Sequence, residues 1–186
     1  SRSDGNCMIA VSIISHGHGA MLGPLVEQLL EFPEVTRIIV TKNIPEPLVL
    51  PENPRLLLLE NSAPGGFGSN HNAAFRHCRE SYFCPLNPDV TFDGNPFPGL
   101  LDVARATGAC IVAPRVDAPD GHPEDSMRFF PTPSRLVRKL LRGERASYTL
   151  SRTDEAPAVE WVAGMFMLFC SEQCRQLGGF DERYHL

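Results

Sequence analysis

The stretch Tyr82-Phe83-Cys84-Pro85-Leu86-Asn87-Pro88-Asp89-Val90 decides how this chain is read. A largely apolar run of strand character, Tyr82–Leu86, ends in Asn-Pro-Asp, turn formers that stop the strand and leave a carboxylate at its carboxyl end. An α/β domain presents an acid in this way at the carboxyl edge of a parallel sheet, where such sheets bind ligands. The plainer alternative is that Asp89 merely ends a strand.

Outward from that strand the chain alternates. Cys7–Ser15 is a continuous apolar run, as in a strand buried on both faces. Met21, Leu22, Leu25, Val26, Leu29 and Leu30 then recur at helical spacing, with Pro24 expected in the first turn and Pro33 as the stop. Arg37–Thr41 and Leu56–Glu60 read as strands. A helix is expected from near Ser69 to about Arg79, and another over Leu100–Ala106, followed by a strand at Ala109–Ala113. Further on come a turn-rich excursion at Asp117–Asp125, a short helix at Ser134–Arg142 and a polar, weakly periodic Ala146–Ala158. Val159–Phe169 is an apolar strand region broken by Gly164, and Glu172–Leu177 a short helix. Strand–helix alternation through the first half predicts a doubly wound, mostly parallel sheet of the α/β class.

Length and composition fit that class. A chain of 186 residues, 42% hydrophobic and 21% charged, suits a single domain with a real core. Residues 1–6 read as a flexible lead-in, and residues 7–186 as the domain. No apolar run approaches the roughly 20 residues of a membrane helix, and the amino terminus has no secretory pattern. Of the six cysteines, Cys7, Cys84, Cys110 and Cys170 lie in apolar runs, and no Cys-x-x-Cys pair occurs. Reduced thiols in a cytoplasmic protein without structural zinc are expected. The net charge of −5 argues against nucleic acid as a partner. Arg135–Arg145 nevertheless carries five basic residues and Glu144, a local +4 that leaves −9 elsewhere. Interleaved with Leu136, Val137, Leu140 and Leu141, it reads as a solvated helix face or as a peripheral contact with anionic lipid.

Three loops carry candidate chemistry. Ser15-His16-Gly17-His18-Gly19 follows the first strand, but its glycines are spaced one residue too long for a dinucleotide fingerprint. Val40-Thr41-Lys42-Asn43 closes the second strand without the acid that would hold a ribose. A nicotinamide dehydrogenase is therefore disfavoured, while a nucleotide could still face the glycine loop, whose following helix end favours phosphate. Two histidines, His16 and His18, without a third ligand make a weak metal signal. Gly65-Gly66-Phe67-Gly68-Ser69-Asn70-His71-Asn72 opens a helix, with Ser69 or Asn70 as the expected cap. It is either a plain turn or a place where backbone amides and Asn side chains approach a ribose or diphosphate. Asp89 is either a strand stop or a hard oxygen ligand for Mg²⁺ or Mn²⁺, which needs only one or two protein carboxylates when phosphates complete its shell.

Taken in order, these pieces resemble family 2 glycosyltransferases of the GT-A fold, in particular the bacterial rhamnosyltransferase-like branch. The resemblance runs through Val11-Ser12-Ile13-Ile14, Gly66-Phe67-Gly68 with Asn72, and Leu86-Asn87-Pro88-Asp89-Val90. It continues through Ala113-Pro114-Arg115, Asp120-Gly121 and Arg128-Phe129-Phe130-Pro131-Thr132-Pro133. It closes with Glu160-Trp161-Val162-Ala163-Gly164 and Gly178-Gly179-Phe180-Asp181-Glu182-Arg183-Tyr184.

It implies a Rossmann-like central sheet, with a nucleotide-binding part over about 7–92 and an acceptor-side part over about 93–186. It implies a nucleotide-diphosphate sugar donor, with dTDP-rhamnose first among candidates. The acceptor would be a saccharide or a lipid-linked sugar of a bacterial surface polysaccharide, with transfer by inversion at the inner face of the plasma membrane. Ser15, His16, Asn43, Gly66, Gly68, Asn72, Asn87 and Asp89 would bind the donor, and Asp89 would hold Mg²⁺ or Mn²⁺. Trp161, Gly164, Asp181 and Glu182 would surround the transferred sugar and the acceptor.

Three departures accompany the likeness. Lys42 stands where the family has a base-contacting acid, and Ser15-His16-Gly17 replaces a common Thr-Tyr-Asn. The family's catalytic base belongs to a Glu-Asp pair expected beyond Leu186, as in a chain that lacks its carboxyl-terminal end. Two other readings remain open on the residues: a non-catalytic nucleotide-sugar-binding or assembly module of the same fold, and a sugar-phosphate nucleotidyltransferase. The second is disfavoured because no Lys or Arg lies between Arg2 and Arg37 to hold a triphosphate.

Overall fold

The computed structural model describes residues 8–114, 127–128, 161–162 and 166–182. It falls into two units, Ser1–Val112 with Met165–Leu186, and Ala113–Gly164. The expected elements at Asp117–Asp125, Ser134–Arg142 and Ala146–Ala158, the basic stretch Arg135–Arg145 and Gly164 lie outside the described residues.

In the first unit β1 (Ile9–Ser15), β2 (Val35–Lys42), β3 (Leu56–Glu60) and β4 (Tyr82–Leu86) are parallel neighbours. Two short strands, β5 (Ile111–Val112) and β8 (Leu168–Cys170), complete a six-stranded sheet in the order β3-β2-β1-β4-β8-β5, with β8 antiparallel to both neighbours. The expected mostly parallel α/β sheet is present. In the second unit β6 (Met127–Arg128) and β7 (Trp161–Val162) form an antiparallel pair, Arg128 opposite Trp161.

Alternate β1 residues serve the two faces of the sheet, so both faces are apolar and the run reads as continuous. Ile9, Val11 and Ile13 pack with Leu22, Leu25, Val26 and Leu29 of α1 (Gly19–Glu31) and with Phe97, Leu100 and Leu101 of α3 (Phe97–Thr107). Ala10, Ile39 and Phe83 meet Ala74 of α2 (Phe67–Phe75) on the other face, where α4 (Ser171–Leu177) also lies, through Cys78 and Ser171. Each fully buried Leu, Ile or Phe there contributes about 1.5–3 kcal/mol of transfer free energy. The five cysteines among the described residues are free thiols. No described helix is long and apolar enough to cross a membrane.

Three local expectations shift. α1 begins at Gly19, so Pro24 stands in its second turn rather than its first. The proline has no N–H for the carbonyl of Ala20, and the loss is tolerable because Ala20 is exposed to water. α2 begins at Phe67 with Gly66 as its cap residue and no side-chain cap. Ser69 Oγ instead donates back to Gly66 O, and the Asn70 amide turns into the loop cluster described below. α2 also ends at Phe75, where two tight turns, His77 N to Ala74 O and Cys78 N to Phe75 O, lead toward β4.

Pro85 sits inside a central strand, an unfavourable place for a residue without N–H. The register explains it. Met167 N donates to Pro85 O beside the β8 ladder, and the reciprocal bond of that pair is the one a proline cannot make.

Candidate functional site

The chain runs from β1 outward to β2 and β3, then returns to place β4 on the other side of β1. That reversal opens a crevice at the carboxyl ends of the strands, the usual ligand position in an open α/β sheet. A cleft of about 380 Å³ lies there. Ile14, next to the last residue of β1, and Leu86, the last of β4, line its floor. His16 and His18 come from the loop after β1, Asn43 from the end of β2, and Gly65, Phe67, Asn70 and His71 from the loop after β3 and from α2. Asn87, Pro88 and Asp89 close the far side.

Asp89 is exposed at this rim, and its carboxylate has no hydrogen bond or ion pair among the described residues. A strand-stopping Asp normally spends its side chain on nearby backbone N–H groups. This one is available, with the Asn87 side chain two residues away on the same turn. No cluster of three or more metal-ligating side chains occurs among the described residues. One free carboxylate suits a cation whose remaining ligands are phosphate oxygens and water, and does not suit an all-protein cage.

Asn43 is the hub of the opposite side. It is buried, and its Oδ1 accepts from Gly65 N (2.8 Å), Asn61 Nδ2 (2.9 Å) and Asn70 Nδ2 (3.0 Å). Its Nδ2 donates to Gly65 O (3.1 Å) and approaches His16 Nδ1 at 3.1 Å. Three loops are thereby bound into one body, and the amide has no capacity left for a ligand. Lys42, beside Asn43 at the end of β2, pairs with Glu60 at 3.1 Å.

The amino end of α1 is already occupied. The Glu46 carboxylate accepts from Gly17 N (3.2 Å) and Gly19 N (2.8 Å), the groups a phosphate would need. Partial burial works against the Glu46 charge, but the Ser15 hydroxyl, these two amides and His18 outweigh it and hold the carboxyl below its ordinary range. Ser15 Oγ is itself buried, with no partner in good hydrogen-bond geometry.

His71 is buried on α2 at the cleft wall, its Nδ1 2.8 Å from Ser12 Oγ and its ring edge-on to Phe67. Burial pushes its pKa down to about 3, so the ring is neutral at physiological pH.

Of the expected donor-binding residues, the cleft therefore gathers His16, Asn43, Asn87 and Asp89, while Ser15 is buried at the end of β1 and does not line it. Gly66, Gly68 and Asn72 are placed elsewhere. Gly66 caps α2. A Cβ on Gly68 would meet Phe180 Cβ and Asp181 O at 3.3 Å, so this glycine lets α2 touch the carboxyl-terminal loop. Asn72 grips that loop: its Nδ2 donates to Phe180 O and Glu182 Oε1, and its Oδ1 accepts from Phe180 N. Asp181 and Glu182 thus stand against α2, and Trp161 lies in β7.

The sequence reading named Phe67, Asn70 and His71 only as members of the Gly65–Asn72 loop, with Asn70 as a candidate cap, and passed over Asn61 and Glu46. The spacing of Phe67 and His71, one helical turn apart, was the available signal for that pair. Nothing local marks Glu46, whose partners lie 27 and 29 residues away.

Comparisons with known proteins agree on the fold. No family model matches the chain. Rhamnosyltransferase WbbL of Escherichia coli (strain K12) is 27% identical over 192 aligned residues, which cover 96% of this chain and 72% of that protein. A mannosyltransferase, PcManGT from Pyrobaculum calidifontis, solved with GDP-Man and Mn²⁺, superposes with a TM-score of 0.60 at 14% identity, over 94% of this chain and 47% of that one. S. aureus TarS 1-349 in complex with UDP gives 0.59 at 12% identity, over 95% and 51%. The chain spans about half the length of these solved structures. The chain has the GT-A glycosyltransferase fold and resembles a bacterial rhamnosyltransferase along nearly its whole length.

Proposed function

We propose that this chain is the donor-binding body of an inverting family 2 glycosyltransferase, with a nucleotide-diphosphate sugar in the cleft between β1 and β4. One observation carries the reading: loops after all four parallel strands or their following helices converge on a single cleft, with an unpaired Asp89 carboxylate at its rim. The 27% identity to a rhamnosyltransferase and the fold shared with a protein solved with GDP-Man and Mn²⁺ support it.

In this reading Asp89, with Asn87 beside it, holds Mg²⁺ or Mn²⁺ on the donor diphosphate. A cation held there would supply charge stabilisation for the nucleoside diphosphate that departs when an acceptor hydroxyl attacks the anomeric carbon. The His16 loop and the body built on Asn43 line the nucleoside side. The resemblance assigns Asp181 and Glu182, on the loop that Asn72 holds against α2, to the surroundings of the sugar and the acceptor. The acceptor is a saccharide or a lipid-linked sugar, rhamnose is the first sugar to test, and Arg135–Arg145 supplies a peripheral contact with an anionic membrane at its cytoplasmic face.

Titration calorimetry with UDP, dTDP and GDP in the presence of Mn²⁺ tests the site. At least one should bind, with affinity falling at least tenfold on chelation of the metal or in Asp89→Ala. Binding by none, or binding indifferent to Asp89, removes the proposal.

A further inference from the structure

The hydrogen bonds at Asn43 fix more than loop positions. Gly65 N–H can only donate and Gly65 C=O can only accept, and both meet the Asn43 side chain, the first at Oδ1 and the second at Nδ2. The amide orientation is therefore determined by backbone groups of one residue. Two further amides, Asn61 and Asn70, donate to the same Oδ1 and reinforce it. The second Nδ2 hydrogen then faces His16 Nδ1 at 3.1 Å, and this nitrogen must accept. The imidazole proton belongs on Nε2. With Nδ1 turned to the buried Asn43 and His16 itself exposed on the cleft wall, Nε2–H is the edge offered to a ligand.

What that donor meets follows from charge. Beside the His16 loop the Glu46 carboxylate already fills the amide nest of Gly17 and Gly19, so this end of the cleft repels phosphate. The diphosphate belongs with the cation at Asp89, and the neutral base reaches the His16 end with the edge farthest from its ribose.

We infer that His16 is a specificity-determining residue that reads a keto oxygen, O4 of uracil or thymine or O6 of guanine, through an Nε2–H fixed by Asn43. An amino group at the same place, as in cytosine or adenine, would set donor against donor and leave both unpaired. The inference rests on the donor-site reading above.

Two measurements separate the two claims. Long-range ¹H–¹⁵N correlation on the ligand-free protein should show the His16 ring with bare Nδ1 and protonated Nε2; a proton on Nδ1 overturns the inference without touching the donor site. Affinities for UDP against CDP and for GDP against ADP, with Mn²⁺, should favour the keto member of whichever pair binds by about ten- to a hundredfold. His16→Phe keeps a ring of similar shape without the donor and should bring that ratio close to one by weakening the keto ligand alone; an unchanged melting temperature shows that the exposed substitution left the fold intact. Equal binding of both members by the unaltered protein, or equal loss of both in His16→Phe, overturns the inference while the donor site stands. Failure of these four nucleotides and of dTDP to bind overturns both.

Discussion

At the scale of single residues, the most consequential side chain away from the cleft rim is His71. Its neutral form is fixed by burial, with a pKa near 3 against an ordinary value of 6.5. Below pH 6.5 the unfolded chain takes up a proton that the folded chain refuses, so stability is full above that value and falls as the pH drops toward 3. The slope should be about 1.4 kcal/mol per pH unit across that window. Urea midpoints measured from pH 7 to pH 4 should show it, and His71→Gln, which has no proton to gain, should flatten the acid limb despite a lower midpoint at pH 7. An unchanged acid limb in the variant would mean that other groups dominate. His71 also shows why burial matters to a reading from sequence. Its residue type suggested nothing in a Gly-rich loop, because its role depends on Ser12, 59 residues away across the sheet.

At the scale of elements, the joint between α2 and the loop after α4 rests on one Asn and two glycines. Asn72 makes three bonds to Phe180 and Glu182, and a Cβ on Gly179, at φ +85°, would stand 2.5 Å from Asn72 Oδ1. Gly179→Ala therefore faces both a left-handed backbone and a clash, and should cost about 2 kcal/mol or more in denaturant unfolding. Asn72→Ala should cost about 1–3 kcal/mol by orphaning the Phe180 amide, while nucleoside diphosphate affinity stays unchanged, because Asn72 does not line the cleft. A loss of nucleotide binding at full stability would return Asn72 to the donor.

The legible elements were those whose signal is local: β3 and β4 have the expected bounds, and β1 and β2 differ by two residues or fewer at each end. The start of α2 was not legible, because Gly66 caps it without a side-chain bond and glycine before a helix reads as loop. His16, Asn43, Asn87 and Asp89 were legible as strand-end residues. The bonds of Asn72 to Phe180 and Glu182 were not legible, because these partners stand 108 and 110 residues further along.

At the scale of the whole molecule, a ligand that binds only the folded sheet stabilises all of it. A nucleoside diphosphate with Mn²⁺ at about one hundred times its dissociation constant contributes about 2.7 kcal/mol, which for a domain of this size raises the melting temperature by about 5–10 °C. Asp89→Ala should abolish the metal-dependent part of that rise without lowering the melting temperature of the ligand-free protein, since the carboxylate has no partner among the described residues to lose. A melting curve that does not respond to any donor nucleotide would count against the cleft as a binding site.

The placement of β8 has a consequence for synthesis. This strand lies between β4 and β5 but is encoded after both, so a ribosome has delivered the first five strands long before the one that joins the fourth to the fifth. Until Leu168–Cys170 emerge, Tyr82 and Phe83 have no neighbour on one side, and an open hydrogen-bonding edge invites another copy to pair. A nascent chain halted before Met167 should therefore be held by chaperones or aggregate, whereas one released after Gly179 can close its own seam.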